Sequence, residues 1–144
     1  MEFPPIRVRL LRDGARIPSR ATDLASGFDL SACIESPIVV GNRPVLVPTG
    51  IAIEIPPGID AQVRPRSGLA RQGILSTFGT IDADYRGELL VTLYAVAPDI
   101  EHTIEPGDRI AQLVFGLLAT ARFELAADLS PTQRGAAGHG STGR

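Results

Sequence analysis

The stretch Ile51-Ala52-Ile53-Glu54-Ile55-Pro56-Pro57-Gly58-Ile59-Asp60-Ala61-Gln62-Val63-Arg64 alternates, breaks and alternates again. Ile51, Ile53 and Ile55 fall on one face, with Ala52 and Glu54 on the other, the period-two signature of a strand. Pro56-Pro57-Gly58 interrupts it. Ala61 and Val63 then alternate with Gln62 and Arg64. Further along, Leu89-Leu90-Val91-Thr92-Leu93-Tyr94 and Ile110-Ala111-Gln112-Leu113-Val114-Phe115 read as more fully buried strands. Pro48-Thr49-Gly50 and Pro106-Gly107 are further breakers. The chain's 15 glycines and 12 prolines suit many short strands. No long segment of period 3.6 occurs; one short helix is expected around Leu69-Ala70-Arg71-Gln72, with Ser67 as its N-cap. The pattern predicts an all-β sandwich or jelly roll.

With 144 residues, 44% hydrophobic and 21% charged, the chain has room for one domain with a core. A net charge of -2 gives no footprint for nucleic acid or an anionic membrane. All 14 basic residues are arginine. Lacking lysine, the chain has neither a P-loop lysine nor a Schiff-base lysine, and arginine favours bidentate phosphate contacts. Cys33 is alone, so no intrachain disulfide forms, and it is expected to pack as a small apolar residue. No signal pattern or membrane-length apolar run is present, so a cytoplasmic protein is expected. From Ser130 onward the chain is rich in glycine and lacks aliphatic core formers. This divides it into a β domain, residues 1–129, and an arm, residues 130–144, expected to be mobile without ligand.

Chemistry concentrates in Gly79-Thr80-Ile81-Asp82-Ala83-Asp84-Tyr85-Arg86-Gly87. A carboxylate beside a glycine-permitted backbone can hold a water for attack, and a nearby ring can pack on a sugar. On residue type alone Asp82 and Asp84 are equal candidates, and a plain turn carboxylate is the commoner use of either.

This segment resembles the third motif of the homotrimeric dUTPases. Ala25-Ser26-Gly27-Phe28-Asp29-Leu30 resembles the first, Pro65-Arg66-Ser67-Gly68-Leu69-Ala70 the second and Gly107-Asp108-Arg109-Ile110-Ala111-Gln112-Leu113 the fourth. The stretch from Arg134 to Gly143 resembles the fifth. Five motifs in family order are far more specific than any one. The resemblance implies a distorted jelly roll, the β-clip fold of that family. It implies a homotrimer whose sites are shared between subunits, and hydrolysis of dUTP to dUMP and pyrophosphate.

By the same resemblance Asp82 is the general base that holds the water attacking the α-phosphorus. Tyr85 packs against the deoxyribose and leaves no room for a 2′-hydroxyl. The segment Ser76 to Ile81 forms a hairpin whose backbone, with Gly79, Thr80 and Ile81, reads uracil's edge. Arg66, Ser67, Gly68, Arg134, Gly140, Ser141 and Thr142 bind phosphates, Gln112 donates to phosphate or to the attacking water, and Asp29 supports Arg66. Mg²⁺ is held mainly by substrate phosphates and water, with Asp29 acting at most through a water. Three positions depart from the family pattern. Ser76 stands where asparagine is common. Ala137 replaces a glycine. His139 replaces a phenylalanine that stacks on uracil; an imidazole stacks too, but buries less apolar area.

Two other functions fit parts of the pattern. A dCTP deaminase, or a bifunctional deaminase and dUTPase, needs a glutamate on the strand after the hairpin, and Leu89 to Tyr94 carries no acid. A non-catalytic nucleotide-binding sensor would tolerate the departures but would not need Asp82.

Overall fold

Strands form where the alternating segments lie, and glycine and proline set their limits. The computed structural model describes residues 2–140 and 143. In order come β1 (Arg7–Leu10), β2 (Gly27–Ser31), β3 (Ile38–Val40), β4 (Val45–Pro48), β5 (Ile51–Glu54) and β6 (Ile59–Arg64). Helix α1 (Ser67–Arg71) follows, then β7 (Ile74–Ser76), β8 (Gly79–Ile81), β9 (Leu90–Ala95), β10 (His102–Ile104) and β11 (Arg109–Leu117). The strands pair antiparallel in four sheets, ordered β1-β5, β10-β3, β2-β11-β6-β8 and β4-β9-β7. Together they make a distorted jelly roll with one short helix. No helix among the described residues is long and apolar enough to cross a membrane.

The core lies between the sheets. Leu30, Val40, Val47, Ile51, Leu93, Ile104, Ile110 and Leu113 are all fully buried. β6 alternates as its sequence predicts, with Ile59, Ala61 and Val63 inward. β11 does not. A register shift between Arg109 and Ala111 inserts Ile110, so Ile110 and Ala111 are both buried while Arg109 stays exposed. β9 is less enclosed than its apolar run suggests. It buries Val91, Leu93 and Ala95 but exposes Leu90, because only one of its faces meets the core.

Two local expectations change. Arg66, not Ser67, occupies the N-cap of α1; its carbonyl accepts from the Ala70 amide at 2.9 Å. Ser67 is therefore the first helical residue. The segment Ser76 to Ile81 is also not a paired hairpin. β7 pairs with β9 and β8 with β6, so Thr77 and Phe78 cross from one sheet to the next. A tight hairpin would have joined the two edges that this crossing holds apart.

The last strand ends at Leu117, and the Leu118 amide makes a final tie to the Gly58 carbonyl at 3.0 Å. Beyond it Phe123, Leu125 and Leu129 are almost wholly exposed and belong to no sheet. The chain thus leaves the body before Ser130.

Cys33 is buried, as its lone occurrence suggested, and packs against the turn between β4 and β5. That turn depends on Gly50. Its φ of +70° lies in the left-handed region, and an added Cβ would sit 2.7 Å from Cys33 Sγ and 2.9 Å from Ala15 Cβ. Gly50→Ala is expected to cost roughly 2–4 kcal/mol, from the strained φ and the overpacking together. Chemical denaturation checks this; an unchanged midpoint would contradict it.

Candidate functional site

Two sets of motif residues gather in two places on the chain. The first surrounds a cavity of about 260 Å³ where the outer strand β8 of one sheet meets the central strand β9 of another. Val63 from β6, Gly79, Thr80 and Ile81 from β8, and Leu90 to Thr92 from β9 form its walls, with Thr77, Asp82, Tyr85, Glu88 and Leu89 around them. β8 is an outer strand of its sheet, so one row of its backbone donors and acceptors is left unpaired by any strand. Gly79 lets β8 approach β6 closely; a Cβ there would stand 3.3 Å from Val63 Cβ.

Asp82 and Asp84 are equal in sequence but not in place. A turn follows β8, closed by the Tyr85 amide donating to the Asp82 carbonyl at 3.0 Å. Asp82 opens that turn and lines the cavity, whereas Asp84 sits within the turn, exposed and off the wall. The Arg86 guanidinium donates to the Ala83 carbonyl at 2.6 Å and pairs with Glu54 at 3.5 Å, so it braces the outside of the turn. The Tyr85 ring folds back over Gly87, and its hydroxyl donates to the Glu88 carbonyl at 2.8 Å. A Cβ on Gly87 would lie 2.4 Å from that hydroxyl oxygen, so only glycine admits this ring position.

Ser76 is not on the cavity wall. It is 3% exposed in β7, and its Oγ meets no hydrogen-bond partner. The Ser76 side chain faces the core, and its neighbour Thr77 takes the wall.

The second set lines a basic pocket of about 270 Å³. Asp29, Arg66, Ser67, Gly68, Arg109 and Gln112 enclose it with Ala21 and Ala25 to Gly27. β11 runs between β2 and β6, and its register sets Gln112 opposite both Asp29 and Arg64. Asp29 accepts from Arg66 Nε at 3.2 Å and from Arg109 Nη1 at 3.4 Å. Arg66 Nη1 also donates to the Arg109 carbonyl at 3.2 Å. One carboxylate thus orients two guanidinium groups, whose remaining N–H donors suit an anion. Gln112 Nε2 donates to the Pro65 carbonyl at 2.9 Å, which fixes the entry to α1. Its amide crosses over Gly27, where a Cβ would stand 2.0 Å from Gln112 Oε1. Ser67 and Gly68 are exposed at the pocket rim.

Among the described residues, none lines both places. The arm joins neither. Arg134 Nε donates to the Ala137 carbonyl at 2.8 Å within its own turn. His139 holds a φ of 52°, a left-handed conformation unusual outside glycine, and Gly140 follows at 84°. Ser141 and Thr142 lie outside the described residues.

Several residues of these sites carry no role in the sequence reading. Arg109 lies inside the fourth-motif stretch, three residues before Gln112, and its charge was the available signal. Thr77 and Glu88 flank the third motif. Arg12 is distant in sequence from Glu88 yet pairs with it, and nothing local in the chain announces that contact.

Comparison with known proteins agrees with this geometry. The dUTPase family model matches residues 13–143. A deoxyuridine 5′-triphosphate nucleotidohydrolase of Treponema denticola is 49% identical over 139 residues, covering 92% of this chain and 94% of its own. One from Anaeromyxobacter sp. is 46% identical over 153 residues, covering 97% and 99%. Among solved structures, a mutant dUTPase of Staphylococcus bacteriophage 80alpha with dUpNHpp aligns with a TM-score of 0.86 at 25% identity, over 99% of this chain and 100% of its own. Motif order, fold, both pockets and these relatives agree, and the chain belongs to the dUTPase family.

Proposed function

We propose that this chain hydrolyses dUTP to dUMP and pyrophosphate, with Asp82 as the general base. The observation that carries this reading is the placement of Asp82 and Tyr85 together on a cavity walled by the open edge of β8. Unpaired backbone N–H and C=O groups of Gly79 to Ile81 read the edge of uracil. A base presenting the wrong donors leaves buried groups unpaired, which is costly. The Tyr85 ring packs on the deoxyribose at C2′ and excludes a 2′-hydroxyl. Asp82, at the end of the same strand, holds a water for in-line attack on the α-phosphorus and takes its proton. The cavity lies slightly below the usual range for ligand pockets, about 300–1,000 Å³, which suits a nucleoside and leaves the triphosphate outside.

Arg66, Ser67, Gly68, Gln112 and, beyond the sequence reading, Arg109 hold the phosphates. Preorganised donors of this kind act on charge that develops in the transition state. That no described residue lines both pockets supports a reading in which the basic pocket completing one Asp82 site comes from a second copy of the chain, as in the homotrimer with shared sites that the family resemblance implies. The exposed Phe123, Leu125 and Leu129 are then covered by a neighbouring copy, and the arm brings Arg134, His139, Gly140, Ser141 and Thr142 over the substrate.

Mg²⁺ fits this arrangement as an ion carried by the triphosphate. Both Asp29 oxygens are engaged by arginines, leaving Asp29 to reach such an ion only through water. Bound there, Mg²⁺ offsets negative charge on the phosphates. A phage phi11 dUTPase from S. aureus, 24% identical and alike in fold, has been described with a structural Mg(II) ion.

Product analysis tests the proposal. With Mg²⁺, the protein should convert dUTP to dUMP and pyrophosphate and leave dCTP intact. Asp82→Asn should lower kcat by roughly 10²–10⁴-fold while dUTP still binds. Ammonia from dCTP would instead indicate a deaminase, and dUTP binding without turnover a sensor. Arg109→Gln removes one of the two guanidinium groups on Asp29. It should raise KM for dUTP about tenfold, the size of one charge-assisted contact. An unchanged KM would remove Arg109 from the phosphate pocket.

A further inference from the structure

Glu88 holds the Tyr85 ring by its backbone and is itself held by its side chain. Its carbonyl accepts the phenol hydroxyl at 2.8 Å, and its carboxylate pairs with the Arg12 guanidinium. Arg12 follows β1 in the chain and is anchored a second time just beyond β2, Nη2 donating to the Cys33 carbonyl at 3.3 Å. The hydrogen bond to Glu88 is the main cause that raises the Arg12 pKa above its ordinary value. The segment between the Asp82–Tyr85 turn and β9 belongs to no strand. Its far end is pinned at Leu89, whose amide donates to the Ile51 carbonyl at 2.9 Å and whose carbonyl accepts from Thr49 Oγ1 at 2.6 Å. Leu11, next to Arg12, is tied to the same turn through its amide and the Gly50 carbonyl at 2.8 Å. The Glu88 carbonyl shares a planar peptide unit with the Leu89 amide, so the Ile51 contact aligns it from one side, and the Arg12 pair holds the same residue by its side chain from the other. Gly87 leaves the Tyr85 ring room to follow that carbonyl.

We propose that Arg12 and Glu88 form a positioning pair that sets the Tyr85 ring and thereby the discrimination between deoxyribo- and ribonucleotide. The proposal rests on the reading of Tyr85 as the residue against the sugar. Arg12 touches no substrate. It acts through Glu88, and Glu88 acts through the hydrogen bond to the ring hydroxyl. A purely structural ion pair would leave a different trace: lower thermal stability, with turnover of both nucleotides changed in proportion or not at all.

The test compares kcat/KM for dUTP and UTP, with Mg²⁺, in the wild type, Arg12→Ala, Arg12→Lys, Glu88→Gln and Tyr85→Phe, and in Tyr85→Phe combined with Arg12→Ala. Arg12→Ala and Glu88→Gln should each lower the dUTP-to-UTP ratio roughly tenfold, the low end of what a shaped pocket discriminates. Arg12→Lys, which keeps the charge, should restore most of the ratio. Once Tyr85→Phe has removed the ring hydroxyl, Arg12→Ala should change the ratio no further. Glu88→Gln nearly conserves size and keeps the question open to measurement if Arg12→Ala folds poorly. The proposal is overturned if the ratio stays within about twofold of wild type in both variants, whatever happens to the melting temperature. It is equally overturned if Arg12→Ala has its full effect without the hydroxyl. A wild type that does not turn over dUTP at all would sink the functional reading itself, an outcome distinct from either.

Discussion

The register of β11 between β2 and β6 is the constraint on which the rest depends. It sets Gln112 opposite Asp29 on one side and Arg64 on the other. Because side chains alternate along a strand, a slip of one residue would turn Gln112 into the core and Leu113 out of it. The correct register lets Gln112 reach over Gly27 to the Pro65 carbonyl and so fixes where Arg66 enters α1. The irregularity at Ile110 adds a second effect: it buries Ile110 and Ala111 together and leaves Arg109 free to meet Asp29. Pairing, burial and charge at this strand are therefore one arrangement. The outer neighbour of β6 in the same sheet is β8, which ends at Asp82. The four-stranded sheet thus lines the basic pocket at one place and supplies one wall of the Asp82 cavity at another.

Among the described residues the two pockets share no lining residue, and Arg134 bonds within its own turn to the Ala137 carbonyl. Exposed Phe123, Leu125 and Leu129 are expensive to leave in water and cheap to cover with another copy. The proposed trimer meets both needs. It brings a basic pocket to each Asp82 and gives the apolar segment from Phe123 to Leu129 a surface to lie on.

Local pattern made the strands legible. β6 alternates in the structure as Ala61 and Val63 do in sequence, and the breakers before and after β5 stand where the chain turns. Motif order singled out Asp82, Arg66 and Gln112, and each lies on a pocket wall. What the sequence hid depends on long-range pairing. Ser76 and Gly79 lie close together in the chain yet join different sheets, so an expected hairpin becomes a crossing and Ser76 faces the core. The second cation on Asp29, and Arg12 on Glu88, arise from contacts between segments far apart in sequence. The one-sided burial of β9 reflects its place in the fold, since its composition is that of a strand enclosed on both faces.

The most direct test of this account mixes two inactive variants, Asp82→Asn and Arg66→Ala, unfolded together and refolded at equal concentration. Each chain then keeps one intact half of the site. Sites built from two copies predict that dUTP hydrolysis returns, to about a quarter of wild type for random assortment in a symmetric oligomer. Recovery no greater than the sum of the separately refolded variants would contradict it, because sites complete within one chain gain nothing from mixing.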